Sequence, residues 1–185
     1  MRISRGFLAA LLLLTGCRTH DRTAEQGASA VVVNASAGGS IVIRTSVAEF
    51  DILPSGYVQA YLVKSTNRLT LDEPHAAEPG DYVVSGGKAI ADFMPDFAHA
   101  QVTDAHGKLG ALGKRVEITG RSSAAGLEKT LAVEVYDDFP NLAVTTLAYK
   151  NIGGSEFKLD QVIAGRHRVK GGMTGNHRGG GKGDH

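Results

Sequence analysis

The 185-residue chain has no tryptophan, a single cysteine, five prolines and only 6% aromatic residues. One cysteine excludes an internal disulfide and any cysteine-rich zinc site. An excess of one charge is missing as well. The formal net charge is +1 with histidine neutral, which excludes the basic field of a general nucleic-acid binder, and no nucleic acid is expected as a partner. No apolar run approaches the ~20 residues of a membrane-spanning helix. What is present is 42% hydrophobic residues and 24 glycines, enough for one domain of ordinary size with its own core.

The N-terminus reads as an address. Arg2 and Arg5 precede the short apolar run Phe7–Leu14, the order of a signal peptide. Leu14-Thr15-Gly16-Cys17 follows and resembles the bacterial lipobox, a Leu, two small residues and a Cys. The resemblance implies that residues 1–16 form a helical signal segment that is removed. Cys17 then becomes the first mature residue and the lipidation site, and the membrane becomes a partner through that lipid. A leftover cysteine in an exported protein is thereby explained, and two or three acyl chains anchor stably where one is marginal. Arg18, in place of the Asp of inner-membrane retention, points to an envelope lipoprotein of the outer membrane or facing the periplasm. Loss of Arg2 and Arg5 leaves 18 basic and 19 acidic groups, too even a balance to name a partner.

Residues 17–28 are polar and small and read as a tether. From Ser29 to Val169, short β-rich runs alternate with Gly, Pro, Asn and Asp. Expected strands are Ala30–Asn34, Ile41–Arg44, Tyr57–Val63, Arg68–Leu71, Tyr82–Ser85, Ala89–Phe93, Arg115–Thr119, Lys129–Tyr136, Ala143–Lys150 and Phe157–Ile163. Lys129–Tyr136 alternates cleanly, with Leu131, Val133 and Val135 on one face. Both faces of the strand after it are moderately apolar, so cover on both sides is expected there. Asp137-Asp138-Phe139-Pro140-Asn141 has turn chemistry between the two. The expected fold is all-β, an antiparallel β-sandwich over residues 29–169. Residues 170–185 hold seven glycines and one large apolar residue, Met173, and are expected to be a disordered tail.

Residues 114–168 carry a further pattern. Lys114-Arg115-Val116-Glu117-Ile118-Thr119-Gly120 leads to Leu127–Leu131, then Val133-Glu134-Val135-Tyr136-Asp137-Asp138-Phe139-Pro140-Asn141-Leu142-Ala143, then Tyr149-Lys150-Asn151. This resembles the N-terminal β-sandwich of the melibiase-type (α-galactosidase-like) glycoside hydrolases. The resemblance implies a galactose-mutarotase-like supersandwich and a carbohydrate partner, with Asp137, Asp138 and Asn141 as candidate sugar or interdomain contacts. In that family the catalytic carboxylates lie in a following (β/α)₈ barrel of about 200–250 residues. No such segment follows Val169, so the expectation is a truncated or frameshifted relative, non-catalytic alone. A self-sufficient envelope lipoprotein acting as a binding or adhesion module is the alternative.

Other constellations are weaker. Adjacent carboxylates such as Asp137 and Asp138 do not flank a sugar at the ~5–9.5 Å a glycosidase needs, and turn formation through backbone N–H groups is the simpler role for them. The seven histidines lack metal-helix spacing, so no metal and no cofactor are expected. Arg166-His167-Arg168 reads as a solvated basic cluster or an interdomain contact.

Overall fold

A computed structural model describes residues 27–35, 39–73 and 78–169. The signal segment, Cys17 and the tail 170–185 lie outside the described residues. Among those described, thirteen strands form antiparallel sheets, none closed, and the only helical element is a single 3₁₀ turn, Phe97–His99. The class is all-β and sandwich-like.

The first sheet is a meander of five strands in chain order: β1 (Val32–Ala35), β2 (Ile41–Arg44), β3 (Ala48–Ile52), β4 (Val58–Lys64) and β5 (Asn67–Leu69). The second is built on three long strands, β10 (Gly113–Ser122), β11 (Leu127–Tyr136) and β12 (Phe139–Asn151). Two short strands, β8 (Met94–Pro95) and β9 (Gln101–Asp104), share the far edge of β10. A third sheet orders β13 (Gln161–Ile163), β6 (Tyr82–Ser85) and β7 (Lys88–Ile90). The β6–β7 hairpin closes through Gly86 and Gly87, both at positive φ (56° and 74°), the conformation a two-residue hairpin requires and glycine supplies without strain.

Alternation decides what is buried. Ile41 and Ile43 of β2 and Ala48, Phe50 and Ile52 of β3 face Val116 and Ile118 of β10 and Leu131, Val133 and Val135 of β11, so the two five-stranded sheets pack face to face. A smaller core of Val83, Phe93 and Leu127 joins the third sheet to the far end of the second. Gly113 opens β10 because a Cβ there would come 2.4 Å from the Val135 carbonyl oxygen.

Several expected strands shift and three, β3, β8 and β9, are new. Ile41–Arg44 and Tyr82–Ser85 form with the expected bounds, whereas strand pairing begins only at Gln161 in the stretch expected to start at Phe157. β3 was not expected, because Glu49 and Asp51 interrupt its apolar residues. Both point to the outer face, where the Arg44 and Arg68 guanidiniums pair with them. The expected five-residue turn is also shorter. Only Asp137 and Asp138 lie between β11 and β12, and the register shifts at Val135/Tyr136, placing Pro140–Leu142 in a bulge. Cover on both faces, expected for the strand of Ala143–Lys150, belongs instead to β11, which is buried without a break from Leu131 to Tyr136. β12 pairs only with β11 and stands at the sheet edge, so its outer side chains meet solvent.

The antiparallel registers define two ends. At the hairpin end lie the β2–β3 turn, the β4–β5 turn and Asp137-Asp138. At the opposite end lie the turn before Tyr57, the turn at Gly126 and the last described residues, 164–169.

Candidate functional site

Two clusters of ionisable groups meet at the opposite end. Lys129 shares the inner face of β11 with Leu127 and Leu131, so its ammonium is carried between the two apolar cores. There it meets Asp81, which leads into β6, with Nζ 2.6 Å from Oδ1 and 3.1 Å from Oδ2. The two side chains are 3% and 4% exposed; burial this deep is tolerated only because the charges are paired. Gly56, at φ 81°, leaves room for this ammonium, since a Cβ there would sit 3.3 Å from Nζ. The Tyr149 hydroxyl donates to Asp81 Oδ1 at 3.4 Å. Burial, then the adjacent Asp81 charge, push the Tyr149 phenol well above its ordinary range.

A second cluster adjoins the first through Gly56-Tyr57 and Gly80-Asp81. Asp72 is nearly buried, and its Oδ1 accepts from the Tyr57 hydroxyl at 2.9 Å and lies 3.2 Å from His167 Nδ1. Its Oδ2 accepts from the Ala60 N–H at 3.2 Å. The Tyr57 and His167 rings meet edge to face at 5.4 Å. Burial first, then the hydrogen bond to Asp72, raise the Tyr57 phenol. Arg166 and Arg168 both reach Glu78, at 3.1 Å and 2.9 Å. Backbone bonds complete the strap: Arg166 N–H donates to the Gly80 carbonyl, and Glu73 N–H to the Arg168 carbonyl.

Chemically, a buried carboxylate behind a half-exposed imidazole orients that ring. The hollow beside it holds about 150 Å³ and is lined by Tyr57, Glu78, Pro79 and residues 166–168. That is below the ~300–1,000 Å³ of ordinary ligand pockets, so it admits a small polar group and no whole sugar ring. A larger, open hollow of about 460 Å³ lies on the outer face of β10, in the gap between β8 and β9. Asp96, His99, Gln101, Arg121 and Glu128 line it together with Met94. The hydrogen bond to His99 holds the Asp96 carboxyl below its usual range.

The residues singled out in the sequence do not converge. Asp137 Oδ1 accepts from Ser29 Oγ at 2.9 Å, and both its oxygens lie 3.2 Å from the Ala30 N–H. Its carboxylate thus ties down the start of the domain. Asp138 is exposed beside Gly110, Asn141 is exposed in the bulge, and no hydrogen bond joins the three. Arg166, His167 and Arg168, read from the sequence as a solvated cluster or an interdomain contact, are exposed, and they also pair with Glu78, Asp72 and Glu73. Sequence reading also missed Lys129, although its parity with Leu131 was a usable signal. Among the described residues no group of three or more His, Cys, Asp or Glu could hold a metal ion, and no helix is long and apolar enough to cross a membrane. No protein-family model matches the chain, and no curated protein matches it.

Proposed function

We propose that the chain is an exported, lipid-anchored β-sandwich of the bacterial cell envelope that works as a binding module and is not catalytic by itself. The observation that carries this reading is its polarity. The Leu14-Thr15-Gly16-Cys17 pattern sits a short polar tether ahead of Ser29. The tether joins the sandwich at the hairpin end, where Asp137 fastens Ser29 and Ala30, while the Tyr57–Asp72–His167 cluster and the hollow beside it lie at the opposite end. A domain held at one end and decorated at the other suits presentation to a partner outside the membrane. The test is Cys17→Ser. The variant should stay unprocessed and move from the detergent phase to the aqueous phase; unchanged migration and partitioning would remove the anchor from the reading.

A second reading, weak carbohydrate binding on a galactose-mutarotase-like supersandwich, is favoured by the hollow of about 460 Å³ beside Arg121. Its volume falls in the range of ligand pockets, and its acid, amide and guanidinium groups are those that bond sugar hydroxyls. Calorimetric titration with galactosides and plant polysaccharides should give heats that vanish in Arg121→Ala. Flat titrations of the unmodified domain would end this second reading.

A further inference from the structure

The two large sheets do not cover each other to the same edge. β12 is the last strand of the second sheet and pairs only with β11. Its hydrogen-bonding parity follows from one bond just past the strand. The Ile152 N–H donates to the Gly126 carbonyl at 2.9 Å, one step beyond the pair Leu127–Asn151. Bonded and non-bonded pairs alternate in an antiparallel ladder. Thr130–Ala148, Ala132–Thr146 and Glu134–Val144 are therefore bonded pairs. Ala143, Thr145, Leu147 and Tyr149 turn their N–H and carbonyl groups the other way, and those backbone groups have no partner among the described residues. From Phe139 to Tyr149 the strand carries no charge, although natural edges are usually blunted by charges, proline or bulges. Pro140 and its bulge blunt only the start of this one.

Beneath that edge the first sheet runs on without a cover. β12 starts over the β2–β3 turn, where Thr45 Oγ1 donates to the Pro140 carbonyl at 2.7 Å. At its other half, Leu147 packs on the main core together with Val58 of β4. Further along β4 the same face is bare. The register sets Leu62 opposite Ala48 and Leu69 opposite Leu62, so both leucines belong to the face that carries Phe50 and Ile52. They are nevertheless 57% and 60% exposed, and Ala60 on that face is exposed too. Lys64 ends this shelf at the hairpin end, exposed and without an ion pair among the described residues. A strand bonded to β12 would lie about 4.8 Å beyond it and about 10 Å above the first sheet, where its inward side chains reach Leu62 and Leu69. We propose that this seam accepts an extended segment of another protein as an added antiparallel strand. The segment alternates apolar and polar residues and sets its apolar ones on Leu62 and Leu69. Running against β12, it brings its C-terminal end to Lys64 and places a carboxylate there. The proposal names a partner for the binding module and rests on that reading, but on neither the lipid anchor nor the hollow beside Arg121.

The probe is a synthetic peptide that alternates valine and threonine and ends in glutamate, titrated onto the full chain. Binding is read by fluorescence anisotropy of the labelled peptide and by amide exchange of the protein. Exchange should slow at Ala143, Thr145, Leu147 and Tyr149 and stay unchanged at Val144, Thr146 and Ala148, whose N–H groups already bond to β11. Thr145→Pro removes one outward donor and spares the β11 ladder, so the variant should fold and bind about tenfold more weakly. Lys64→Glu should reverse the charge preference and favour the same peptide ending in lysine. No protection at the four outward amides, or equally tight binding by a folded Thr145→Pro, overturns the proposal. A chain that is dimeric by light scattering and monomeric as Thr145→Pro would put a second copy on the seam and overturn it as well. Titration with galactosides separates the two levels. Sugar heats without peptide binding fail the seam alone, whereas flat titrations with both fail the binding-module reading along with it.

Discussion

The two ends of the sandwich are closed by different means. At the hairpin end, short turns reverse the strands directly, Asp137 fastens the incoming chain, and a single hydroxyl, Thr45 Oγ1, bonds the Pro140 carbonyl across the layers. At the opposite end the layers are joined by side chains: the Lys129–Asp81 pair between the cores, and the Tyr57–Asp72–His167 cluster that straps residues 164–169 across. The difference follows from how much apolar surface each end can bury. The main core draws on eleven buried residues and the second core on only three. Where hydrophobic contact thins out, directional bonds hold the layers in place. They do so at a desolvation cost that makes each partner indispensable to the other.

Breaking the buried pair should have the largest effect. Lys129→Met leaves Asp81 buried without its cation and should cost about 3–5 kcal/mol, lowering Tm by roughly 10–15 °C. Lys129→Met combined with Asp81→Leu should recover most of that loss, because an apolar pair of similar volume has no charge to desolvate. A double-mutant cycle by thermal unfolding checks both. If Lys129→Met proved harmless, side-chain bonding would not be what closes this end.

The strap comes next. Asp72→Asn keeps the shape and removes the charge that accepts from Tyr57, Ala60 and His167; about 1.5–3 kcal/mol is expected. Amide exchange should rise at residues 164–169 and at Glu73, which share the strap, and stay unchanged at β2 and β3. At the hairpin end, Asp137→Ala should cost only about 1 kcal/mol. Its exchange signature should be confined to Ser29–Val31, since Val31 and β1 are held in addition by the main core and by pairing with β2. Loss of protection throughout β11 in Asp137→Ala would erase the contrast between the ends.

Legibility follows the same division. Strands whose alternation is apolar against polar could be read to within a residue or two, as at Ile41–Arg44 and Lys129–Tyr136. β3 could not. Glu49 and Asp51 look like loop chemistry until Arg68, in β5, is known to lie across from them. β12 misled in the other direction. Its apolar residues on both faces suggested a covered strand, but a sheet edge is a property of topology, and no local pattern encodes it. The clusters at the opposite end depend on pairings such as His167 with Asp72, 95 residues apart, and Arg166 with Glu78, 88 apart. Residue type announces these groups, and only the fold brings them together. Lys129 was the exception: a lysine in phase with Leu127, Leu131, Val133 and Val135 had to be buried or break the strand.

The smallest expected effect separates the outer face of the first sheet from both ends. Asp51 is held above its ordinary carboxyl range, 3.8, by burial foremost and by the charge of Glu49, against the opposing bond from Arg68. Its Oδ2 accepts from Arg68 at 2.8 Å, while its buried Oδ1 has no partner among the described residues. A carboxyl raised in the folded state favours folding while protonated. That contribution is full below the unfolded value and is lost as the pH rises through the folded one. At neutral pH the ionised Asp51 is therefore a burden on the fold. Asp51→Asn keeps an acceptor for Arg68 and turns the orphaned oxygen into a donor facing Glu49. It should stabilise the protein by about 0.5–1 kcal/mol at pH 7, a gain that shrinks toward zero below pH ~4. Urea unfolding of both chains between pH 3 and 8 reads the difference. A gain that grew in acid, or a loss at neutral pH, would mean that the Asp51 charge supports Arg68 more than it suffers from burial.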